Sequence, residues 1–299
     1  MKLFLIRHGE TVDNVAQLYA GVKDSALTNH GNLQAERLGK FLTKNALHFS
    51  HVFSSDLQRA HKTASAICSW ANAVNGGRLK VTALKVLREQ DFGFYEGKPF
   101  YARPRDSNRS GKDSHRSQHQ DDPDFKDVES KESMDARMNI FLREHLVPLL
   151  RNEKREKKEA VAIVSHGIIL SHLWRCFLKL LPKTSVTLSP GLYVGTGGVR
   201  PLENLGGWSN TAYLELDMQN NRPESNTAAQ ASRSSPRSSE TRSNDTGSMP
   251  MLHEHQVIIR TVNGKEHLQG LKRTRGVGSS KYDESQKSID SFFKKQKVG

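Results

Sequence analysis

KLFLIRHG at residues 2–9 and AVAIVSHG at residues 160–167 are two copies of one local pattern. Each copy is a short apolar run typical of a buried β-strand, and each is followed at once by a histidine and a glycine. In open α/β sheets, ligands bind outside the carboxyl ends of the strands. The imidazoles of His8 and His166 are therefore predicted to face one crevice.

The chain around these two strands alternates between apolar runs and helical patterns. This alternation predicts a mainly parallel sheet covered on both faces, a three-layer α/β/α sandwich. The first long helix is predicted to have Thr28 as its N-cap. The predicted strands are 3–6, 52–54, 79–84, 160–164 and 212–216, and the predicted helices are 28–42, 57–70, 134–150 and 168–181.

Composition indicates that part of the chain does not pack. Only 35% of the 299 residues are hydrophobic, and adding the 22 glycines still leaves the chain below the ~45–50% apolar share of an average domain. Asn263-Gly264 between alternating apolar positions is a hairpin signal. The expected parts are a domain at 1–218, a charged polar insertion within it at 101–133, a disordered Ser-rich linker at 219–255, a β-hairpin at 256–271 and a basic tail at 272–299.

Charge and cysteine content narrow the class of protein. Lys and Arg number 45 against 32 Asp and Glu, a net charge of +13, which favours phosphorylated substrates or other polyanionic partners. Cys68 and Cys176 lie in apolar helical patterns and are expected to be reduced, buried thiols of an intracellular protein. No apolar run reaches the ~18–20 residues of a membrane span. We also expect no direct binding to nucleic acid, because no motif for it is found.

The polar residues near the strand ends suit a phosphate monoester. Arginine can bind phosphate oxygens in bidentate fashion, and a neutral histidine can attack phosphorus. A carboxyl group such as that of Glu89 can protonate the departing oxygen, with Glu96 in the same loop as the alternative. Guanidinium and imidazole groups supply the charge stabilisation, so neither a metal ion nor a cofactor is expected.

LFLIRHGETVDN, LTNHGNLQAERL, FSSDLQRAHKTA, LREQDFGFYEG and IVSHG follow one another in this order. Together they resemble the motifs of the histidine phosphatase superfamily, the phosphoglycerate mutase-like proteins, over roughly residues 1–218. The resemblance implies the same α/β/α fold, His8 as the phosphorylated nucleophile and Glu89 as the proton donor. The phosphate-binding and substrate-binding positions that it implies are Arg7, Arg59, His166, Asn14, Gly21 and Asn210.

The insertion at 101–133 bears on the reaction type. A phosphoglycerate-type mutase must keep water from its phosphohistidine under a rigid, basic cap. This insertion holds seven basic and eight acidic residues and is expected to be mobile. We therefore expect phosphomonoester hydrolysis, with a mutase and a non-catalytic interaction platform as the alternatives.

Residues 286–293 carry a separate pattern, Gln-x-x-Ile-x-x-Phe-Phe, in a basic tail. An amphipathic turn that buries the Ile and both rings in a partner's groove would account for it. The pattern resembles the PIP box, by which replication and repair proteins bind the sliding clamp, proliferating cell nuclear antigen (PCNA). The resemblance implies Gln286 in a polar side pocket and Ile289, Phe292 and Phe293 as the apolar plug. Docking of the rings on the catalytic domain is the alternative, and clamp binding predicts a location in nucleus and cytoplasm.

Overall fold

The structure is a computed structural model that describes residues 1–44, 47–100, 121–123, 125–152, 159–192, 202–220, 251–274 and 276–283. The predicted clamp-binding residues Gln286, Ile289, Phe292 and Phe293 lie outside the described residues. So do most of the predicted insertion and most of the predicted linker.

Strands and helices alternate along the chain, as the sequence predicts. The strands are β1 (Lys2–Arg7), β2 (His48–Ser55), β3 (Val81–Leu84), β4 (Glu159–Ser165), β5 (Val186–Leu188), β6 (Tyr213–Asn220) and β7 (His255–Gly264). The helices are α1 (Val12–Ala16), α2 (Asn29–Lys44), α3 (Gln58–Asn75), α4 (Lys131–Phe141), α5 (Val147–Arg151) and α6 (Gly167–Leu178), with a π-helical turn at Leu142–Leu146. Thr28 caps α2, because its Oγ1 accepts the N–H of Gly31 at 2.9 Å. None of the described helices is both long and apolar enough for a membrane-spanning segment.

The seven strands form one sheet in the order β3-β2-β4-β1-β6-β7-β5. Strands β3, β2, β4 and β1 are parallel, whereas β6 runs antiparallel to both of its neighbours. Helices cover both faces, so the predicted mainly parallel α/β/α class is confirmed. In the register of β1 and β4, Arg7 lies opposite Ser165. The residues that follow these two strands are therefore neighbours at one edge of the sheet.

The central strand β1 has an apolar core on each of its faces. Leu3 and Leu5 belong to the core that contains residues of α4 and α6, whereas Phe4 and Ile6 belong to the core that contains residues of α2 and α3. All four side chains are fully buried, and each such burial contributes ~1.5–3 kcal/mol. Burial on both faces explains why this strand is a continuous apolar run rather than an alternating one.

The β-hairpin predicted for 256–271 is wrong. Strand β7 instead pairs along its length with β6, and the chain then turns through a 3-10 helix at Glu266–Leu268. Val257 and Ile259 are fully buried in the core. An isolated hairpin would leave these side chains partly exposed, so pairing with the sheet is the more stable arrangement.

Two predicted boundaries also differ from the structure. The predicted linker at 219–255 is shorter, because β6 continues to Asn220 and Leu252 is buried in the core. The predicted tail at 272–299 begins with packed chain. The backbone N–H of Asn29 donates to the carbonyl of Ser280, and its side chain donates to that of Val277. Residues 276–283 therefore pack against the start of α2.

The end of the predicted insertion is folded as well. Helix α4 begins at Lys131, three residues before the predicted start, and Ser130 caps it by accepting the N–H of Ser133 at 3.1 Å. Val128 is buried against Phe92 and Tyr95. The residues just before α4 are therefore part of the packed structure.

Candidate active site

His8 and His166 stand side by side at the edge of the sheet. His8 follows β1 directly and His166 follows β4, and the centroids of the two rings are 5.0 Å apart. Both residues are buried. The structure thus brings together the two histidines that the repeated strand pattern singled out.

A hydrogen bond determines which nitrogen of His8 is basic. Nδ1 lies 2.7 Å from the carbonyl oxygen of Gly9. Because a carbonyl can only accept, Nδ1 carries the proton and Nε2 holds the lone pair. Burial, together with the positive charges of Arg59 and Arg7, lowers the pKa of His8 well below 6.5. At neutral pH the ring is therefore uncharged, with Nε2 available for nucleophilic attack.

His166 is held in the opposite tautomer to His8. The Nε–H of Arg59 donates to Nδ1 of His166 at 3.1 Å, so the proton of the neutral ring lies on Nε2. Burial and the charge of Arg59 lower the pKa of His166 well below 6.5. Nε2 is buried and has no hydrogen-bond partner among the described residues. A buried donor without a partner is costly, and a phosphoryl oxygen would satisfy it.

The guanidinium of Arg59 donates most of its hydrogen bonds to other groups of the protein. Nη1 donates to the carbonyl of Lys23 at 2.7 Å, and Nη2 donates to those of Ala20 and Gly21 at 3.0 and 2.7 Å. Burial lowers its pKa to about 10, so it stays charged at neutral pH. In this geometry the guanidinium therefore lacks the two free N–H groups that a bidentate contact with phosphate needs. Arg59 positions His166 and supplies a fixed positive charge.

Arg7 keeps a buried donor for a ligand. Its Nη1 donates to the carbonyl of Trp208 at 2.6 Å. Its Nε is buried and has no partner in the described part of the chain. Burial lowers the pKa of Arg7, and the nearby charge of Glu89 opposes that shift. The Nε–H of Arg7 and the Nε2–H of His166 are thus two unsatisfied donors in one small region.

Glu89 lies at the N-terminus of α6. Its two carboxylate oxygens accept the backbone N–H groups of Ile168 at 3.1 Å, Ile169 at 3.0 Å and Gln90 at 3.0 Å. These three bonds hold the carboxyl group firmly where the cavity described below reaches it. Its position fits the predicted proton donor.

Glu96, the alternative carboxylate, supports a loop instead. Its oxygens accept backbone N–H groups from residues 21–23 and from Phe92 at 2.9–3.2 Å. These bonds hold the loop whose carbonyls bind Arg59. The geometry therefore separates the two candidates and assigns Glu96 a structural role.

Residues 3–189 match the family model of the histidine phosphatase superfamily, branch 1. The chain belongs to that superfamily. A probable phosphatase of Schizosaccharomyces pombe is 28% identical over 97% of this chain and 79% of its own length. A broad-specificity phosphatase of Saccharomyces cerevisiae is 29% identical over 56% of this chain and 66% of its own length. A mycobacterial glucosyl-3-phosphoglycerate phosphatase in complex with VO3 has a TM-score of 0.50 at 25% identity, covering 73% of this chain and 92% of that one.

Three further positions implied by the superfamily resemblance differ in whether they line the cavity. Asn14 lines the cavity. Asn210 lies behind its wall, where Nδ2 donates to the carbonyl of His8 at 3.2 Å and to Oδ1 of Asn14 at 3.1 Å. Gly21 is a packing position, because a Cβ there would lie 1.9 Å from the carbonyl oxygen of Gln90. In this structure Asn210 supports His8 and Asn14, and Gly21 supports the loop that binds Arg59, while their predicted substrate contacts stay predictions.

The active-site cavity of this histidine phosphatase has a volume of about 970 Å³, more than one phosphate group needs. Its inner end is lined by His8, Arg7, Arg59, Glu89 and Asn14. Sequence reasoning missed the outer end, although Ser171 and Arg175, two polar residues four apart on the mostly apolar α6, were a signal. The side chains of the outer end are Leu18, Tyr19, Phe92, Phe100, Ile168, Ser171, Arg175 and Trp208.

Within the described ranges, no group of three or more His, Cys, Asp or Glu side chains is arranged to hold a metal ion. His255 is buried, with Nε2 3.1 Å from the carbonyl oxygen of Leu150.

Proposed function

We propose that this chain is a phosphomonoesterase that forms a phosphohistidine at Nε2 of His8 and needs no metal ion. The supporting observation is that the two neighbouring histidines are held in opposite tautomers. One presents a lone pair and the other presents an N–H donor, and their rings are 5.0 Å apart. A nucleophile beside an unsatisfied donor is the arrangement that phosphoryl transfer requires.

The first step forms the covalent intermediate. Nε2 of His8 attacks phosphorus, the bond from phosphorus to the leaving oxygen breaks, and Glu89 gives its proton to that oxygen. The Nε–H of Arg7 and the Nε2–H of His166 donate to the phosphoryl oxygens, where negative charge must be stabilised.

The second step restores the enzyme. Glu89 takes a proton from water as the water oxygen attacks phosphorus, and the bond from phosphorus to Nε2 of His8 breaks. Inorganic phosphate leaves, Glu89 is protonated again, and His8 returns to its neutral form. Protons and electron pairs balance over the two steps without a further reactant.

The test measures hydrolysis of p-nitrophenyl phosphate in the presence of a chelator. His8→Asn is expected to abolish turnover, whereas His61→Gln, an exposed histidine on α3, is expected to keep it. Full activity of His8→Asn would overturn the nucleophile assignment, and loss of wild-type activity with the chelator would overturn metal independence. With 3-phosphoglycerate, release of phosphate without isomerisation supports hydrolysis, whereas isomerisation without release would establish the mutase alternative.

We further propose that residues 286–293 recruit this phosphatase to the sliding clamp PCNA. The support is the sequence pattern itself, with Gln286 and Ile289 spaced from Phe292 and Phe293 as in the PIP box. Lysines around the pattern would speed association with an acidic surface of the clamp. Clamp binding implies that part of the protein is nuclear and part cytoplasmic.

A fluorescent peptide of residues 285–298 tests recruitment. It is expected to bind purified clamp, and the peptide with Phe292→Ala and Phe293→Ala is expected not to bind. Equal binding by both peptides would overturn the proposal. The same double substitution in the full chain is expected to leave the melting temperature unchanged, whereas a lower value would favour docking of the rings on the catalytic domain. For the location, a fluorescent fusion should lose its nuclear signal when residues 284–299 are removed.

A further inference from the structure

The outer end of the active-site cavity contains a cation for which the described residues supply no counter-ion. Arg175 is half-buried, and its guanidinium makes no hydrogen bond or ion pair with any described residue. Taking a charged group partly out of water without a partner costs free energy. The position is therefore one where an anion would be stabilised.

Arg175 is aligned with the phosphate end of the cavity. Ile168, Ser171 and Arg175 are spaced by three and four residues, so they lie on one face of α6, and all three line the cavity. The helix rises ~1.5 Å per residue, which places the Cα of Arg175 ~12 Å along the axis from Gly167. Cα–Cβ bonds on a helix lean toward its N-terminus, which is the end of α6 where the Glu89 carboxyl group lies.

The neighbours of Arg175 leave its charge uncompensated. Oγ of Ser171 is already used, since it donates to the carbonyl of Gly167 at 3.0 Å and accepts Nε1–H of Trp208 at 3.0 Å. Glu203 lines a smaller adjoining cavity with Arg175 but forms no ion pair with it. Among the described residues, the only acidic side chain that lines the main cavity is Glu89, at the inner end.

The wall contributed by the loops is apolar. The ring of Tyr19 lies 4.7 Å from that of Phe92 and 4.9 Å from that of Phe100, measured between centroids. This wall offers surface for the carbon skeleton of a ligand and no opposite charge for the guanidinium. The cavity therefore combines the two histidines' end, an apolar wall and an arginine whose charge the described residues do not balance.

We propose that the substrates of this enzyme are phosphate monoesters whose leaving group carries a second anionic group, a carboxylate or another phosphate, and that Arg175 binds that group. The inference rests on the proposed phosphatase function and names its substrate class. The second anion takes no part in bond making. Its contact with Arg175 holds the leaving group in the cavity while the phosphoryl group is transferred to His8.

The test compares matched pairs of substrates on the full-length protein. 3-Phosphoglycerate and glycerol 3-phosphate differ by a carboxylate, and fructose 1,6-bisphosphate and fructose 6-phosphate differ by a phosphate. Arg175→Gln is expected to lower kcat/KM for the more anionic member by about 10- to 100-fold, mainly through KM, because it removes a hydrogen bond to a charged group. The less anionic members should change by less than about 3-fold. Arg175→Lys should recover part of the loss, and Arg78→Gln, an exposed arginine after α3, should change neither pair.

The outcome distinguishes the two sources of negative charge. A selective loss in the carboxylate pair alone or in the bisphosphate pair alone identifies which group Arg175 binds. Equal changes within both pairs, or no change in either, would overturn the inference while leaving the phosphatase function intact. If the wild-type protein hydrolyses no monoester at all, the proposed function fails instead. Calorimetric binding of 3-phosphoglycerate to the wild-type and Arg175→Gln proteins then decides the anion site independently.

Discussion

Replacing Glu89 with glutamine separates the proposed proton transfer from the hydrogen bonds that this side chain accepts. The variant keeps the size of the side chain but cannot give a proton to the leaving oxygen. A positioned general acid contributes ~10²–10⁴-fold to the rate. We expect a fall of this size in kcat/KM for an alkyl phosphate such as glycerol 3-phosphate. For p-nitrophenyl phosphate the fall should be at least ~10-fold smaller, because nitrophenolate leaves readily without a proton.

Glu89→Gln should also weaken the start of α6. The two carboxylate oxygens accept the N–H groups of Ile168 and Ile169, one oxygen for each. A glutamine has one oxygen, so one of these donors loses its acceptor, at a cost of ~1–3 kcal/mol. Urea unfolding should therefore show a loss of ~1–3 kcal/mol.

Glu96 provides the matched control for this experiment. It also accepts several backbone N–H bonds, but it lies behind the loop that binds Arg59. Glu96→Gln should lower stability and should lower the activity toward both substrates by the same factor. The deciding quantity is the ratio of kcat/KM for the aryl phosphate to that for the alkyl phosphate, which Glu89→Gln should raise and Glu96→Gln should not. An unchanged ratio in Glu89→Gln would refute Glu89 as the proton donor.

Three further predictions follow from buried contacts. Burial lowers the pKa of His267 to about 4, below its unfolded value of ~6.5. The neutral ring therefore contributes its full stabilisation above a pH of ~6.5, and this stabilisation is lost as the pH falls toward about 4. His267→Gln, which keeps a donor for Thr211, should reduce the difference in unfolding free energy between about pH 7 and about pH 4.5 by ~2.5 kcal/mol; an unchanged difference would contradict this. A chain ending at Asp283 should keep the melting temperature of the full protein. A chain ending at Asn220 lacks two fully buried side chains of β7, and its free energy of unfolding should fall by at least ~3–6 kcal/mol. Equal melting temperatures of the two chains would show that β7 is dispensable. Arg59→Lys cannot bind three carbonyls and a histidine at once and should lower kcat/KM by ~10-fold or more, and wild-type activity would show that these bonds are not needed.

The central strands and both histidines were predictable because their signals are local. The strands β1 and β4 are buried on both faces, so each is an uninterrupted apolar run, and each histidine follows its strand directly. The parallel register then places the two histidines next to each other. A short stretch of sequence contains all of this information.

The roles of the supporting residues could not be predicted in the same way. Arg59 matched a phosphate-binding position, yet its hydrogen bonds go to a loop that Glu96 holds from 73 to 75 residues away. No local pattern records that pairing. The hairpin prediction failed for a related reason. The alternation of Val257 and Ile259 fits a hairpin and an added strand equally well, and only the free edge of β6 decides between them.

That added strand leads into a segment that supports the nucleophile. Nε2–H of His267 donates to Oγ1 of Thr211 at 2.9 Å, because this hydroxyl already donates to the carbonyl of Asn210. Thr211 has a left-handed backbone with φ of 55°, and its N–H donates to the carbonyl of His8 at 3.1 Å. A threonine in this conformation is strained, and its surroundings must hold it there. The carbonyl of His8 thus accepts a hydrogen bond from Thr211, and His267 of the C-terminal segment in turn contacts Thr211, which makes this segment part of the support of His8.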